Sequence, residues 1–464
     1  MNTDLYTGAA VAAAEQAWST AQQQPTFVLM QRAAEAALTL IRRYVEPERQ
    51  VIVLCGRGNN GGDGRLLAAM LSSHGWTVSV WSAGKPRRGS DAEQAQEALA
   101  KSSATLIEDL TELSHSAAFW VDAIVGTGFV GTPSGRERVG IQFLQQRPRK
   151  NILALDCPSG LNASTGAAEC AVVAGMTLTF IAYKAGLVTG AGPGLTGVLQ
   201  IDYLGVTVSS ANAVAHTLTA AHLQWPSRPA DSHKGACGQV YVVGGSRGMV
   251  GAGILTAEAA LVTGSGLVTA HIDHTGHAPL MARCPEIMTA EARLPDALGA
   301  IGVAAIGPGL GRDNAARQCW ATFVERFEAA ANPWVVDADA LWHLANAPMR
   351  RSSWVLTPHP GEAARLLSCT IADVQADRLV ASRELQRRYG GVIVLKGAGN
   401  VVATADGCAV LAVSLGAMAT GGLGDALTGV IAALLAQGMA PELAAKSGLV
   451  ALITAARTVA QRQP

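Results

Sequence analysis

Apolar positions along this chain change their spacing in a repeating rhythm. Between about residues 10 and 45 they recur at helical intervals, with Val28, Leu29, Met30, Ala33, Ala36 and Ala37 on one face. The run VIVLC at 51–55 then has the length and branching of a buried strand, and it ends in GRGNNGGDG before a helical run at 65–71. Further strand-like runs fall at 77–81, 119–125, 152–155 and 177–181, several ending in small or charged residues: Asp122 in VDAIVGTG, Asp156 in LDCPSG, Lys184 in FIAYKAG. Strands alternating with helical stretches predict a parallel sheet whose ligand crevice lies at the carboxyl ends of the strands. After the stretch WPSRP at 225–229 a second alternation begins, with strands at 240–243, 267–271, 303–306, 334–337, 354–356 and 392–395 and a helix around 254–263. The turns after these segments read GGSRG, GPGLG, DADAL, TPHPGE and KGAGN. The stretch 417–429, AMATGGLGDALTG, reads as a glycine loop turning into a helix at Asp425.

Composition narrows this picture. The 464 residues exceed one core, and the two alternations predict domains at 1–210 and 220–464 with a linker over about 206–223. Lys+Arg 35 against Asp+Glu 35 removes the electrostatic case for a nucleic-acid binder. The eight cysteines are scattered without a CxxC pair, which fits a reducing compartment and excludes an obvious zinc or iron–sulfur frame. The first residues, MNTDLYTGAAVAAAEQAW, lack the basic start of a signal peptide, and no uninterrupted apolar run has the length of a membrane span. The expectation is a cytoplasmic protein with no membrane partner, whose composition permits a homo-oligomer without specifying one.

Candidate chemistry gathers where strands end. Asn59, Asn60, Gly61, Gly62 and Asp63 lie between a strand and a helix, where glycines let an anionic ligand approach backbone N–H groups. The spacing is neither GxGxxG nor a P-loop. Asp122, Asp156 and Ser159 follow separate strands, so one sheet edge can bring their oxygens together, with Asn60, around a hard cation; Asp156 equally suits acid–base chemistry. In the second half, Lys396 can meet a phosphate, and Asp425 is either only a helix cap above a tight glycine turn or a group that takes a proton from a substrate hydroxyl while helix N–H groups stabilise a transferring phosphoryl group. Asp337 and Asp339 in VVDADAL read as helix caps more readily than as Mg2+ ligands. Trp320, Trp334, Trp342 and Trp354 read as core or interface.

Taken together, VLCGRGNNGGDG, VDAIVGTG, LDCPSG and FIAYKAGLVTG resemble the NAD(P)H-hydrate epimerases. SHKGACGQVYVVGGS, GPGLG, VVDADAL, LTPHPGEAARLL, VLKGAGNVV and ATGGLGDALTG resemble the ribokinase-like NAD(P)H-hydrate dehydratases, and the order matches the bifunctional bacterial repair enzymes over nearly the whole chain. The resemblance implies two tandem three-layer α/β/α domains, the first Rossmann-like and the second ribokinase-like. It implies epimerisation of the R and S hydrates of NADH and NADPH, followed by ADP-dependent dehydration of the S hydrate with release of AMP and phosphate. In its terms Asn59 to Asp63 and Gly126, Thr127, Gly128, Phe129, Val130, Gly131 and Thr132 contact the hydrate, with Asp156 at the reacting ring. Asn60, Asp122 and Ser159 are the potassium ligands. In the second domain Ala252, Gly309 and His359 contact the hydrate, Lys396, Gly397, Ala398, Gly399, Asn400 and Gly424 contact ADP with its Mg2+, and Asp425 is the base. Cys157, Asn400, Thr420 and Leu423 depart from the commonest residues of these motifs without removing a charged group. A small-molecule kinase with an accessory domain, or a nucleotide sensor without turnover, is the competing reading.

Overall fold

The computed structural model describes residues 4–113, 118–290, 294, 302–413 and 420–462, so residues 417–419 of the second glycine stretch lie outside the described residues. The chain divides into two compact units, Met1–His216 and Thr217–Pro464. The division falls within the expected linker, which is not bare: the strand Ala215–Leu218 starts there, and its Ala215 and His216 pair antiparallel with Leu5 and Asp4.

In the first unit, seven parallel strands run in the order Thr105–Ile107, Val78–Ser82, Val51–Cys55, Phe119–Ala123, Ile152–Leu155, Met176–Phe180, Val198–Asp202. The two edge strands are additions to those expected from spacing; Leu106 and Val198 are exposed, so their apolar pattern is diluted. Side chains alternate between two cores. Val51, Val53 and Cys55 pack with Ala33, Ala37, Ile41, Leu67 and Leu71, whereas Ile52 and Leu54 pack with Trp120, Ile141 and Leu144. Helices therefore cover both faces, as a parallel sheet requires. The helical stretch expected over 10–45 is two helices, Gly8–Gln22 and Phe27–Tyr44, parted where Gln23 turns left-handed at φ 53°. Strand order reverses between Val51–Cys55 and Phe119–Ala123, which opens a crevice beyond their carboxyl ends.

The second unit orders its strands as Gly407–Leu411, Asn400–Thr404, Val392–Leu395, Trp354–Leu356, Trp334–Val336, Gly302–Ile306, Gln239–Val243, Leu267–His271, Met288–Ala290. All neighbours are parallel except the first two pairings, which are antiparallel. That hairpin departs from the purely parallel expectation, and it makes Asn400 the first residue of a strand. One face packs under the helices Val250–Val262, Leu423–Ala436 and Pro441–Arg462. On the other, Phe323 meets Trp334 edge-on at 4.8 Å, and Trp320, Trp334 and Trp354 are buried core residues. Among the described residues one helix, over Pro441–Ala460, has the length and apolarity of a membrane span. Its Ala444, Ala445, Leu449, Val450 and Ile453 are buried in this core, which gives that apolarity a packing role.

Candidate functional site

Asn59 to Gly64, expected as a loop before a helix, are themselves the first turns of the helix Asn59–Ser73. Their glycines serve close packing. A Cβ at Gly61 would lie 2.1 Å from the Gly56 carbonyl oxygen, and one at Gly64 would lie 2.6 Å from the Ala123 side chain. The helix start is thereby drawn against the strand ends, where it lines a cavity of about 480 Å3. Asn59, Asn60, Asp63, Gly126, Thr127, Gly128, Phe129 and Asp156 line this space. Gly61 and Gly62 are buried outside its lining, and Val130, Gly131 and Thr132 continue the second loop away from it. Val130 is 80% exposed, and Thr132 donates to Glu169.

Asp156 sits at the floor of the cavity in a left-handed backbone conformation, φ 63°, costly for a residue with a Cβ. Its Oδ1 accepts from Lys184 Nζ at 2.5 Å and its Oδ2 accepts from the Thr127 N–H at 3.3 Å. The Lys184 side chain is fully buried and also donates to Thr179 Oγ1 and the Phe180 carbonyl. Gly126 keeps the approach open, since a Cβ there would lie 3.3 Å from Asp156 Oδ2 and 3.0 Å from Asn60 Cβ.

Beneath the cavity, Asp122 is fully buried and accepts from Ser159 Oγ at 2.5 Å, Ser159 N at 2.8 Å and Ile124 N at 3.3 Å. Burial pushes its carboxyl up to about 6, against the hydrogen bonds from Ser159. Among the described residues no cationic side chain pairs with it. Ser159 Oγ also meets the Val125 backbone, and Asn60, 7% exposed, has neither amide atom hydrogen-bonded. A buried carboxylate, an unpartnered amide oxygen, a hydroxyl and a carbonyl form an oxygen-rich set suited to a hard monovalent cation. Two more acids face the cavity. Burial, then Asp156, raises Glu15 to about 7; burial, Asp156 and Glu15 push Asp63 well up.

In the second unit the helix begins at Leu423, with Gly422 capping it at φ 91°. Asp425 thus stands in the first turn, not at the cap. Burial, then Asp337, raises its carboxyl to about 6, with Lys396 opposing. Asp337 does occupy the N-cap position of the helix Ala338–Asn346, but its side chain makes no capping hydrogen bond: the carboxylate accepts instead from Lys396 Nζ at 2.7 Å and Thr428 Oγ1 at 2.9 Å. Asp339 instead accepts from Gly311 N and Arg312 Nε. Burial alone would lower Lys396, but Asp337, Glu362 and Asp425 outweigh it and raise it. Gly424 lets the helix start close on this ion pair, since a Cβ there would be 3.2 Å from Lys396 Nζ.

The turn after Lys396 is closed by the Gly397 N–H donating to Asn400 Oδ1, and Gly397 and Gly399 hold φ of 128° and 64°. Buried Arg378 donates to the Leu395, Lys396 and Gly399 carbonyls, fixing the turn that carries Ala398. His359 caps the helix Pro360–Leu367, Nδ1 accepting from Gly361 N and Glu362 N, while Glu362 accepts from His359 N. Burial lowers His359 and raises Glu362 to about 7. Gly309, φ 63°, adjoins Ala252: a Cβ on it would stand 3.2 Å from the Ala252 side chain. Leu255, one turn on from Ala252, reaches Gly422, joining this pair to the Asp425 end of the unit.

Four contributors escape sequence reading. Lys184 is visible at a strand end, but its partner Asp156 is 28 residues away. Glu15 is a lone acid in an alanine-rich helix, a pattern typical of a solvated face. Thr428 and Arg378 act through residues distant in sequence.

Comparison with known proteins follows the same division. The family described as YjeF-related protein N-terminus matches residues 26–186, and the family described as NAD(P)H-hydrate dehydratase matches residues 240–464. The bifunctional NAD(P)H-hydrate repair enzyme Nnr of Escherichia coli is 40% identical over 450 residues, covering 94% of this chain and 86% of its own. That of Coxiella burnetii is 38% identical over 439 residues, covering 91% and 88%. The ADP/ATP-dependent NAD(P)H-hydrate dehydratase of Bacillus subtilis, crystallised with ATP and Mg2+, is 28% identical, with a TM-score of 0.47 over 53% of this chain and 90% of its own.

Proposed function

This chain belongs to the family of bifunctional NAD(P)H-hydrate repair enzymes, and on that premise we propose how its residues divide the work. The first unit is the epimerase that interconverts the R and S hydrates. The second is the dehydratase that returns the S hydrate to NADH or NADPH at the expense of a nucleotide. In our reading Asp425 takes the proton of the ring hydroxyl, whose oxygen attacks the terminal phosphorus of ADP and displaces AMP. Phosphate then leaves with the carbon–oxygen electron pair, the ring nitrogen lone pair assists, and loss of the neighbouring carbon's proton restores the double bond. The observation that carries this is the placement of Asp425 in a helix first turn beside Lys396, which Asp337 holds in place.

Lys396 and the helix N–H groups would meet the transferring phosphoryl, and the Lys396–Asn400 turn the nucleotide. Mg2+ would be carried by the nucleotide phosphates, whose charge it would neutralise. Asn60, Asp122 and Ser159 would hold K+ beneath the epimerase cavity, where it balances the buried carboxylate and fixes the floor that carries Asp156. The cytoplasm, where NADH and NADPH are used, is the setting we assign.

The test is a mixture of R and S hydrates with ADP, Mg2+ and K+. Wild-type protein is expected to recover all of it as NADPH absorbance. Asp425→Asn should cut dehydration by about 10^2-fold or more while epimerisation continues. Dehydration surviving at full rate in that variant would sink the base assignment.

A further inference from the structure

The helix Gly8–Gln22 lies outside every glycine motif, yet the chain fixes it tightly to the epimerase cavity. Tyr6 N donates to the Tyr183 carbonyl and Ala185 N to the Tyr6 carbonyl, so the segment before the helix is stitched to both neighbours of Lys184. Thr7 caps the helix, Gly8 N donates to Ser164 Oγ at 3.0 Å, and a Cβ at Gly8 would lie 2.6 Å from the Thr127 carbonyl oxygen. The helix is therefore registered against the two residues that hold Asp156, namely Lys184 and Thr127. Glu15 lies two turns beyond Gly8 on the same face and, with Ala12, lines the cavity. The charged groups facing it are Asp156, Lys184, Asp91 and Asp63, and Arg57 and Glu137 stand on the same lining; Glu15 is the only ionisable residue of its own helix. Asn60 is buried in that lining, and with its amide oxygen assigned to K+ its amide nitrogen is still left without a partner, a donor available to a polar ligand.

We propose that Glu15 is a second catalytic residue of the epimerase, passing a proton to and from the ring nitrogen while Asp156 serves the ring hydroxyl. The proposal rests on the epimerase reading of this unit and on Asp156 as the group at the hydroxyl. The two hydrates differ at the carbon bonded to both that hydroxyl and the ring nitrogen. Asp156 takes the hydroxyl proton, the oxygen electron pair forms a carbonyl, and the carbon–nitrogen bond breaks. Its electron pair stays on nitrogen, which takes the proton of Glu15. Rotation about the adjoining carbon–carbon bond presents the other carbonyl face. Nitrogen then attacks, its proton returns to Glu15, and Asp156 gives its proton back to oxygen. Nothing is consumed and both acids end as they began. Burial and Asp156 hold Glu15 near 7, where it can both give and take a proton at neutral pH.

The experiment uses the full chain. Epimer exchange is followed by separating R and S hydrates from about pH 5 to about pH 9 for wild type, Glu15→Gln, Glu15→Asp and Asp156→Asn, with calorimetric melting of the first unit as the folding control and dehydration of pure S hydrate as the control on the second. Glu15→Gln should lose about 10^2-fold or more of the exchange rate and the pH dependence near neutrality, with dehydration unchanged. Glu15→Asp should restore part of the rate with a displaced pH profile. The proposal is overturned if Glu15→Gln exchanges at the wild-type rate across the range. It is equally overturned if that variant slows while keeping the wild-type pH profile, which is the mark of a merely structural role. Failure of the underlying reading looks different: Asp156→Asn would then epimerise as well as wild type.

Discussion

Asp337 shows how much one carboxylate can coordinate. It neutralises the mostly buried Lys396, takes the Thr428 hydroxyl, and its charge helps hold the Asp425 carboxyl up near 6. On the proposed assignment Asp425 works as a base only when ionised, so dehydration should be full above that value and fall as pH drops through about 6. Asp337→Asn removes a negative neighbour of Asp425, so the acid limb of the pH–rate profile should move to lower pH. The same change removes the ion-pair partner of Lys396, leaving Glu362 and Asp425 as its acidic neighbours, and should destabilise the second unit in denaturant unfolding by no more than the roughly 3–5 kcal/mol of a fully broken buried pair. A limb that stays in place would show that Asp337 does not set the Asp425 environment. Sequence reading found the aspartate and its place at the helix start but not its partners, because a residue opening a helix after a strand looks like a side-chain cap whatever its carboxylate touches. Glu15 and Lys184 were invisible as site residues for a related reason: their partners are distant in the chain.

At the scale of elements, glycine was the misleading residue. Counted as a helix breaker, it put Asn59–Gly64 in a loop; in the fold it lets a helix come down onto strand ends with nothing between. The same logic holds in the second unit, where the helix Leu423–Ala436 crosses Val250–Val262 at Gly429, and a Cβ there would stand 2.1 Å from the Thr256 carbonyl oxygen. Gly429→Ala should therefore cost the second unit about 1–3 kcal/mol through overpacking, although alanine is the better helix former. Calorimetry should show that unit melting earlier and epimerase activity unaltered; an unchanged melt would mean that the two helices part without cost. Strands were legible where they are central and β-branched, as at Val51–Cys55, Ile152–Leu155, Trp354–Leu356 and Val392–Leu395. The hairpin Asn400–Thr404 with Gly407–Leu411 was not, since it is short and opens within a glycine turn that drew attention to phosphate binding instead.

At the scale of the whole molecule, each unit has its own buried core. Ligands that stabilise one need not stabilise the other, and K+ offers the contrast. Replacing K+ by choline should lower the melting of the first unit by the binding energy RT ln(1 + [K+]/Kd) and leave the second where it was. Asp122→Asn should abolish the difference; a salt effect shared by both units would argue against a specific ion site. The bipartite order of motifs was the most legible property of all, because each half repeats its own strand–turn–helix alternation.

The stitching of Tyr6 to Tyr183 and Ala185 also sets a timetable. Ribosomal synthesis at about 5–20 residues per second separates those partners by roughly ten to forty seconds. The segment at Tyr6 must therefore wait, without these partners, for nearly the rest of the unit to emerge before it can pack beside Lys184. A change at Tyr6 or Gly8 that loosens this stitching would act on epimerisation through that delayed closure, far from any glycine motif and with the dehydratase untouched.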